Sequence, residues 1–230
     1  MLISIHIPKT GGTSFRTLLE EHFKDKLLLD YTDRPMKNGN LVRNISALGG
    51  IFKTKRTEKY DCIHGHFLPI KYRSLKDKSL AIWLRDPVER ALSRYYHWKR
   101  HFSQNDFQFK KYIKDPNISL EKFCGIKHYQ NLYSKYLWGM KLTDFQFIGI
   151  TENYENSINI FKRMYNIENS TNLTTVNVNP EKHSVKYDID DKLRNLIIKQ
   201  NLDDYKIYEQ ALIVNKYLEN KYIIGNSCPK

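Results

Sequence analysis

The chain is short of cysteine, of acidic residues and of long apolar runs, and each shortage excludes something. Cys62, Cys124 and Cys228 are its three cysteines in 230 residues. An odd and sparse set of this kind excludes a disulfide framework and points to a reducing compartment. No apolar stretch approaches the roughly 20 residues that a membrane-spanning helix needs. The N-terminus has no basic-then-apolar signal pattern, because an apolar strand already begins at Leu2. A cytoplasmic protein without integral membrane association is therefore expected. The 7 prolines and 10 glycines are scattered, with no repeat, low-complexity tract or linker. One domain over residues 1–230 is expected, long enough for a substantial core. With 25 acidic against 38 basic residues, the formal net charge is +13. That balance favours acidic ligands: a nucleotide, an anionic glycan, a nucleic acid or a membrane surface. No helix-turn-helix, zinc-finger or RNP signature accompanies it, so nucleic acid is not the expected partner.

What is present begins at the N-terminus. The apolar run Leu2-Ile3-Ser4-Ile5 leads into His6-Ile7-Pro8-Lys9-Thr10-Gly11-Gly12-Thr13-Ser14-Phe15. A buried strand thus runs through a turn with a lysine and two glycines into an amphipathic helix. This arrangement makes an anion cradle, because a helix N-terminus offers unpaired N–H groups and a partial positive charge. Glycines let the backbone approach a phosphate closely. The segment is not a Walker A loop, whose lysine follows the second glycine; here Lys9 precedes the pair. A second apolar run, Leu80-Ala81-Ile82-Trp83-Leu84, ends in Arg85-Asp86-Pro87-Val88-Glu89-Arg90. Asp86 suits an N-cap, Pro87 the first helical position, and Glu89 completes a capping-box pattern. Arg85 stands at a strand's C-terminal end, where open α/β sheets bind ligands, and Ser93 lies two turns into the helix. Read alone, Arg85 fits a surface ion pair as well as a ligand contact.

Strand and helix patterns alternate along the chain, which predicts an α/β fold of P-loop-like, three-layer type, with a mostly parallel central sheet flanked by helices. Further strands are expected at 27–29, ending near His64, and at 145–150. Helices are expected after Ile150, over 128–138, near 189–200 and near 204–220, with Ser119 capping a short one that stops near Gly125. Residues 31–58, basic and glycine-containing, read as a mobile excursion.

The two motif segments together resemble the sulfotransferases that use 3′-phosphoadenosine 5′-phosphosulfate (PAPS), and most closely the carbohydrate branch that includes heparan sulfate 2-O-sulfotransferase. The resemblance runs from residue 2 to about residue 210 and includes His64-Gly65-His66-Phe67, Gly149-Ile150-Thr151-Glu152, Asn177-Val178-Asn179-Pro180 and a late helix with Asp204, Tyr205 and Tyr208. It implies that Lys9, Thr10, Gly11, Gly12, Thr13 and Ser14 hold the donor's 5′-phosphosulfate, and that Arg85 and Ser93 hold its 3′-phosphate. Lys182 and Lys186 are further candidates for the 3′-phosphate region, or solvated loop charges. The implied reaction is in-line displacement at sulfur, with no metal required. Lys9 stabilises the charge on the leaving oxygen, and a histidine takes the proton of the acceptor hydroxyl, which the branch implies is on a carbohydrate.

A spacing of two in an extended segment places His64 and His66 on one face, and imidazole has a suitable pKa for the base. The resemblance favours His66, with His64 a second candidate or an orienting partner; a metal pair and two structural histidines are the other readings. Glu152 reads as a helix cap or a site residue. Arg90 and Arg94 read as exposed ion-pair partners, with Arg94 able to add field at the donor site. Two other function classes stay open: a P-loop-type kinase using a nucleotide donor, and a non-catalytic basic module that binds polyanions.

Overall fold

In the computed structural model, residues 1–33, 35–52, 57–167 and 187–225 are described. Five short strands form one sheet: β1 (Leu2–Ile5), β2 (Leu27–Asp30), β3 (Cys62–Gly65), β4 (Ser79–Leu84) and β5 (Phe147–Ile150). Their order across the sheet is β2-β3-β1-β4-β5, and every pairing is parallel. β1 and β4 are continuous apolar runs because both faces of a parallel sheet are covered. Side chains alternate between the faces. On one side Ile3, Ile5, Ile82, Leu84 and Ile148 meet Tyr133, Tyr136 and Tyr208. On the other Leu2, Ala81, Trp83 and Phe147 meet Phe15, Leu18 and Phe161. The expected α/β architecture is present.

Helices α1 (Gly12–Phe23) and α6 (Tyr154–Met164) cover the second face, and α5 (Leu132–Tyr136) lies on the first. The long α8 (Leu202–Glu219) shares both cores and shields the β5 edge, where Asn215 Nδ2 donates to the Ile148 carbonyl at 2.8 Å. Helix α3 (Pro87–Arg100) follows β4, with α4 (Leu120–Cys124) and α7 (Asp191–Gln200) packed against it. Ser119 caps α4, accepting from Lys122 N–H at 3.3 Å, and the chain turns at Gly125 as the sequence suggests.

Two local expectations are corrected. Residues 40–50 form a regular helix, α2 (Asn40–Gly50), within the stretch read as a mobile excursion. Its apolar residues recur with helical period, and the flanking glycines and basic residues hide that pattern. The expected capping box on α3 is also different. Asp86 accepts from Val88 N–H at 2.9 Å and Glu89 N–H at 3.0 Å. However, the Glu89 carboxylate turns away to Tyr187 N–H at 3.1 Å, and Glu152 receives the Asp86 N–H at 3.1 Å.

The chain crosses from β3 to β4 over β1, so the sheet's topological switch point lies at the C-terminal ends of β1 and β4. Those two ends carry both motifs. A crevice between diverging connections is where such sheets bind ligands.

Candidate active site

The β1–α1 turn is held from within and, through Thr151, from the ends of β4 and β5. Thr10 Oγ1 donates to the Ile7 carbonyl at 2.9 Å, so this hydroxyl closes the turn and leaves the backbone N–H as what Thr10 can offer a ligand. Thr151 Oγ1, just after β5, lies 2.9 Å from both the Thr10 and the Leu84 carbonyls. Its proton is shared between them, and it ties the loop to the end of β4. Lys9 has φ 74° and Gly11 φ 81°, both in the left-handed region. Glycine adopts that conformation freely, whereas Lys9 is strained there, a feature that clusters at functional sites. Gly12 is needed for space: a Cβ would sit 2.1 Å from His6 Cδ2. The turn thereby delivers the N-terminus of α1, whose first-turn N–H groups have no side-chain cap. Thr13 at this terminus is exposed. Ser14 is buried beside the Tyr154 phenol, which it stabilises in its ionised form against the larger upward effect of burial.

Lys9 is half-buried among cations. Burial first, then the charges of Arg94, Arg100 and Arg85, lower its pKa from 10.5 to about 8. Arg85, at the end of β4, keeps its guanidinium largely out of water. Glu152 Oε1 lies 3.7 Å and Glu89 Oε2 3.9 Å from it, and its Nε has no hydrogen-bond partner among the described residues. The charge is balanced at a distance, while a donor stays available for a closer anion. Ser93 is buried on α3. Glu152 is a junction of strand ends: besides Asp86 N–H, it accepts from Tyr208 Oη at 2.9 Å. Tyr133 Oη bonds both the Arg85 N–H and its carbonyl. The late-helix residues singled out in the sequence thus support Arg85, with Tyr205 Oη reaching Asp86 at 3.2 Å.

β3 brings the histidines. Ser4 faces His64 across the β1–β3 pairing, and its Oγ lies 2.8 Å from His64 Nδ1. His64 is 1 % exposed. Burial first, then the charges of His66 and Arg16, hold its pKa down to about 3. The next-but-one residue, beyond the strand end, is half-buried: His66 Nδ1 bonds the His6 carbonyl. A carbonyl only accepts, so Nδ1 carries the proton and Nε2 keeps its lone pair. The His66 pKa is lowered by burial and by Arg94, with the His6 carbonyl opposing them. His6 stacks between the two, with ring centroids 5.2 Å from His64 and 4.4 Å from His66, and its Nδ1 is 2.9 Å from Tyr31 Oη. Among the described residues, no group of three His, Cys, Asp or Glu side chains is placed to hold a metal ion.

Lys9, Gly11, Gly12, Ser14, Arg85 and the two histidines therefore gather at the C-terminal ends of β1, β3 and β4. Lys182 and Lys186 lie outside the described residues, as do Asn177 to Pro180. The expectation for Arg90 is overturned. It is buried, bonding the Tyr129 carbonyl at 3.1 Å and lying 3.9 Å from Asp204. Arg94 is half-buried rather than exposed. It bonds Gln108, sits over the Tyr129 ring, and places its charge on Lys9 and His66. Tyr31 and Tyr154 were passed over in the sequence, and His6 and Thr151 stood inside motifs without a role of their own. His6 heads the same motif, but nothing local to it signals a partner 60 residues away.

Among solved structures, the chain is similar to a sulfotransferase from Alicyclobacillus acidocaldarius, at 15 % identity and a TM-score of 0.46, covering 88 % of this chain and 91 % of that one. No curated protein matches the sequence. The model of the sulfotransferase family matches residues 1–210. By that match, which spans both motif-bearing strand ends and most of the chain, this protein belongs to the sulfotransferase family.

Proposed function

We propose that the chain moves a sulfuryl group from PAPS to a hydroxyl of a carbohydrate, with Lys9 and His66 as the residues at the reacting atoms. One observation supports this most: an uncapped helix N-terminus with Lys9 lies near Arg85 at the switch point, while His66, just beyond the end of β3, keeps its Nε2 lone pair. The first-turn N–H groups of α1, from Gly12 to Ser14, would hold the 5′-phosphosulfate, aided by the Thr13 and Ser14 hydroxyls. Arg85 and Ser93 would hold the 3′-phosphate, the group that separates PAPS from ATP-like donors. Arginine suits that task because its planar fork engages two oxygens.

In the transfer, His66 Nε2 takes the acceptor's hydroxyl proton as the acceptor oxygen bonds to sulfur. The bond from sulfur to the bridging oxygen breaks, and its electron pair stays with the 5′-phosphate of adenosine 3′,5′-bisphosphate. Lys9 meets that developing charge with a charge-assisted hydrogen bond. With a pKa of about 8 it is mostly protonated at neutral pH and still a better proton donor than an ordinary lysine. Donors already in place at the developing charge are the largest catalytic contribution in such sites. His64 is too buried to reach an acceptor and would orient the cluster through Ser4. The carbohydrate acceptor rests on the resemblance of the motifs.

Calorimetric titration with adenosine 3′,5′-bisphosphate tests the donor site, with ATP and AMP as controls. Micromolar binding of the bisphosphate, weak binding of the controls and a loss of about tenfold or more in Arg85→Ala are expected. Folded protein that ignores the bisphosphate overturns the reading, and preference for ATP would point instead to phosphoryl transfer.

A further inference from the structure

Helix α2 is built inside out. At 3.6 residues per turn, Leu41, Ile45 and Leu48 fall within an arc of roughly 60°. They are 74 %, 59 % and 41 % exposed, and Phe52, just past the helix end, is 85 % exposed. Val42 widens the stripe. The opposite face, which points into the protein, carries Arg43, Ala47 and Gly50, all buried. Arg43 is 4 % exposed, with its guanidinium on the side-chain oxygens of Asn40 and Asn44. A surface helix ordinarily does the reverse, turning its apolar stripe to the core and its charge to water. Contiguous apolar surface of this kind marks an interaction site.

Charge identifies the occupant. From Asp33 to Glu58 the sequence holds no acidic residue between them, while Arg34 and Lys37 precede the helix and Lys53, Lys55 and Arg56 follow it. A second copy of this chain would bring the same basic flanks against themselves, on molecules that each carry a formal charge of +13. An anionic bilayer satisfies both features at once. Its acyl region takes an apolar stripe lying in the interface plane, and its headgroups attract the flanking cations. We infer that α2 is a peripheral docking helix for an anionic lipid surface, inserting Leu41, Ile45, Leu48 and Phe52. Helix α2 packs on the turn Pro69–Tyr72, shortly after His66. Docking therefore holds that end of the sheet toward the bilayer. The inference rests on α2 and its flanks, and not on the donor chemistry.

Co-sedimentation of the full chain with vesicles tests it, comparing pure phosphatidylcholine with phosphatidylcholine–phosphatidylglycerol mixtures. Binding to the anionic vesicles alone, weakened by salt, is expected. The Ile45→Glu/Leu48→Glu double variant should lose that binding by about tenfold or more, because charge replaces the inserted residues. Its thermal melt should match the parent's, which shows a fold intact whatever the donor proves to be. Leu41→Gln, at the most exposed large apolar residue of the helix, should lose part of the binding and guards against misfolding in the double variant. Parent protein that stays in the supernatant with anionic vesicles overturns the inference, as does binding that the variants leave unchanged. So does a dimer in solution that the double variant splits without any vesicle binding, which would make a second copy the occupant.

Discussion

At the scale of single residues, the site depends on which groups carry protons. Burial and Arg94 lower the His66 pKa below the usual 6.5, while the Lys9 pKa is brought down to about 8. On the proposed roles of His66 and Lys9, the kcat/KM of transfer should trace a bell in pH, since that ratio reports the free enzyme. The acid limb belongs to protonation of His66 and lies below pH 6.5. The alkaline limb belongs to loss of the Lys9 proton near pH 8. Lys9→Ala should lower the rate by about a hundredfold to a thousandfold, the usual cost of removing one preorganised donor, and should flatten the alkaline limb. His66→Ala should end transfer and leave bisphosphate binding intact. Full activity in that variant would overturn the assignment of a histidine base, since His64 is too buried to replace it. Rate profiles of the three proteins decide this.

At the scale of elements, one side chain joins the end of β4 to two helices. Asp86 caps α3 through Val88 N–H and Glu89 N–H and receives the Tyr205 hydroxyl of α8. Asp86→Ala should cost about 1–2 kcal/mol in urea unfolding, the upper part of the range for a lost N-cap. A cost within error of zero would mean that Glu152 and Tyr205 alone set the helix start. This cap was legible in the sequence because its bonds span two and three residues. α2 was not legible as structure. Its apolar period is present, but glycines at 39, 49 and 50 and the surrounding basic residues resemble loop composition. Its outward-facing stripe also breaks the rule that apolar periodicity marks a core face.

At the scale of the whole molecule, buried neutral histidines make stability depend on acid. His6, His64 and His66 are all lowered, chiefly by burial. A histidine whose folded pKa lies below its unfolded value leaves the unfolded chain binding more protons in between. Stability is then complete above pH 6.5 and falls as pH drops through the window. His64, held down to about 3, contributes the widest window, with a fall that runs from pH 6.5 toward 3. Glu152 and Asp204, raised by burial, act in the opposite direction, starting above their ordinary carboxylate values. Urea midpoints should decline steadily from pH 7 toward pH 5. A midpoint unchanged down to pH 5 would contradict a buried, neutral histidine cluster.

The sequence by itself determined what neighbours along the chain can settle: the strand–turn–helix cradle of Lys9, the capped start of α3, and the parallel α/β alternation with both motifs at strand ends. The tertiary structure alone decided which distant groups meet. With β1 between β3 and β4, Ser4 lies opposite His64, and the His6 carbonyl reaches His66. The same packing turned Arg90 inward toward Asp204 and brought Arg94 into the field of Lys9. The physical reason is range. Caps and turns close over a few residues, whereas cross-sheet contacts follow from strand order and register, which no local stretch of sequence encodes.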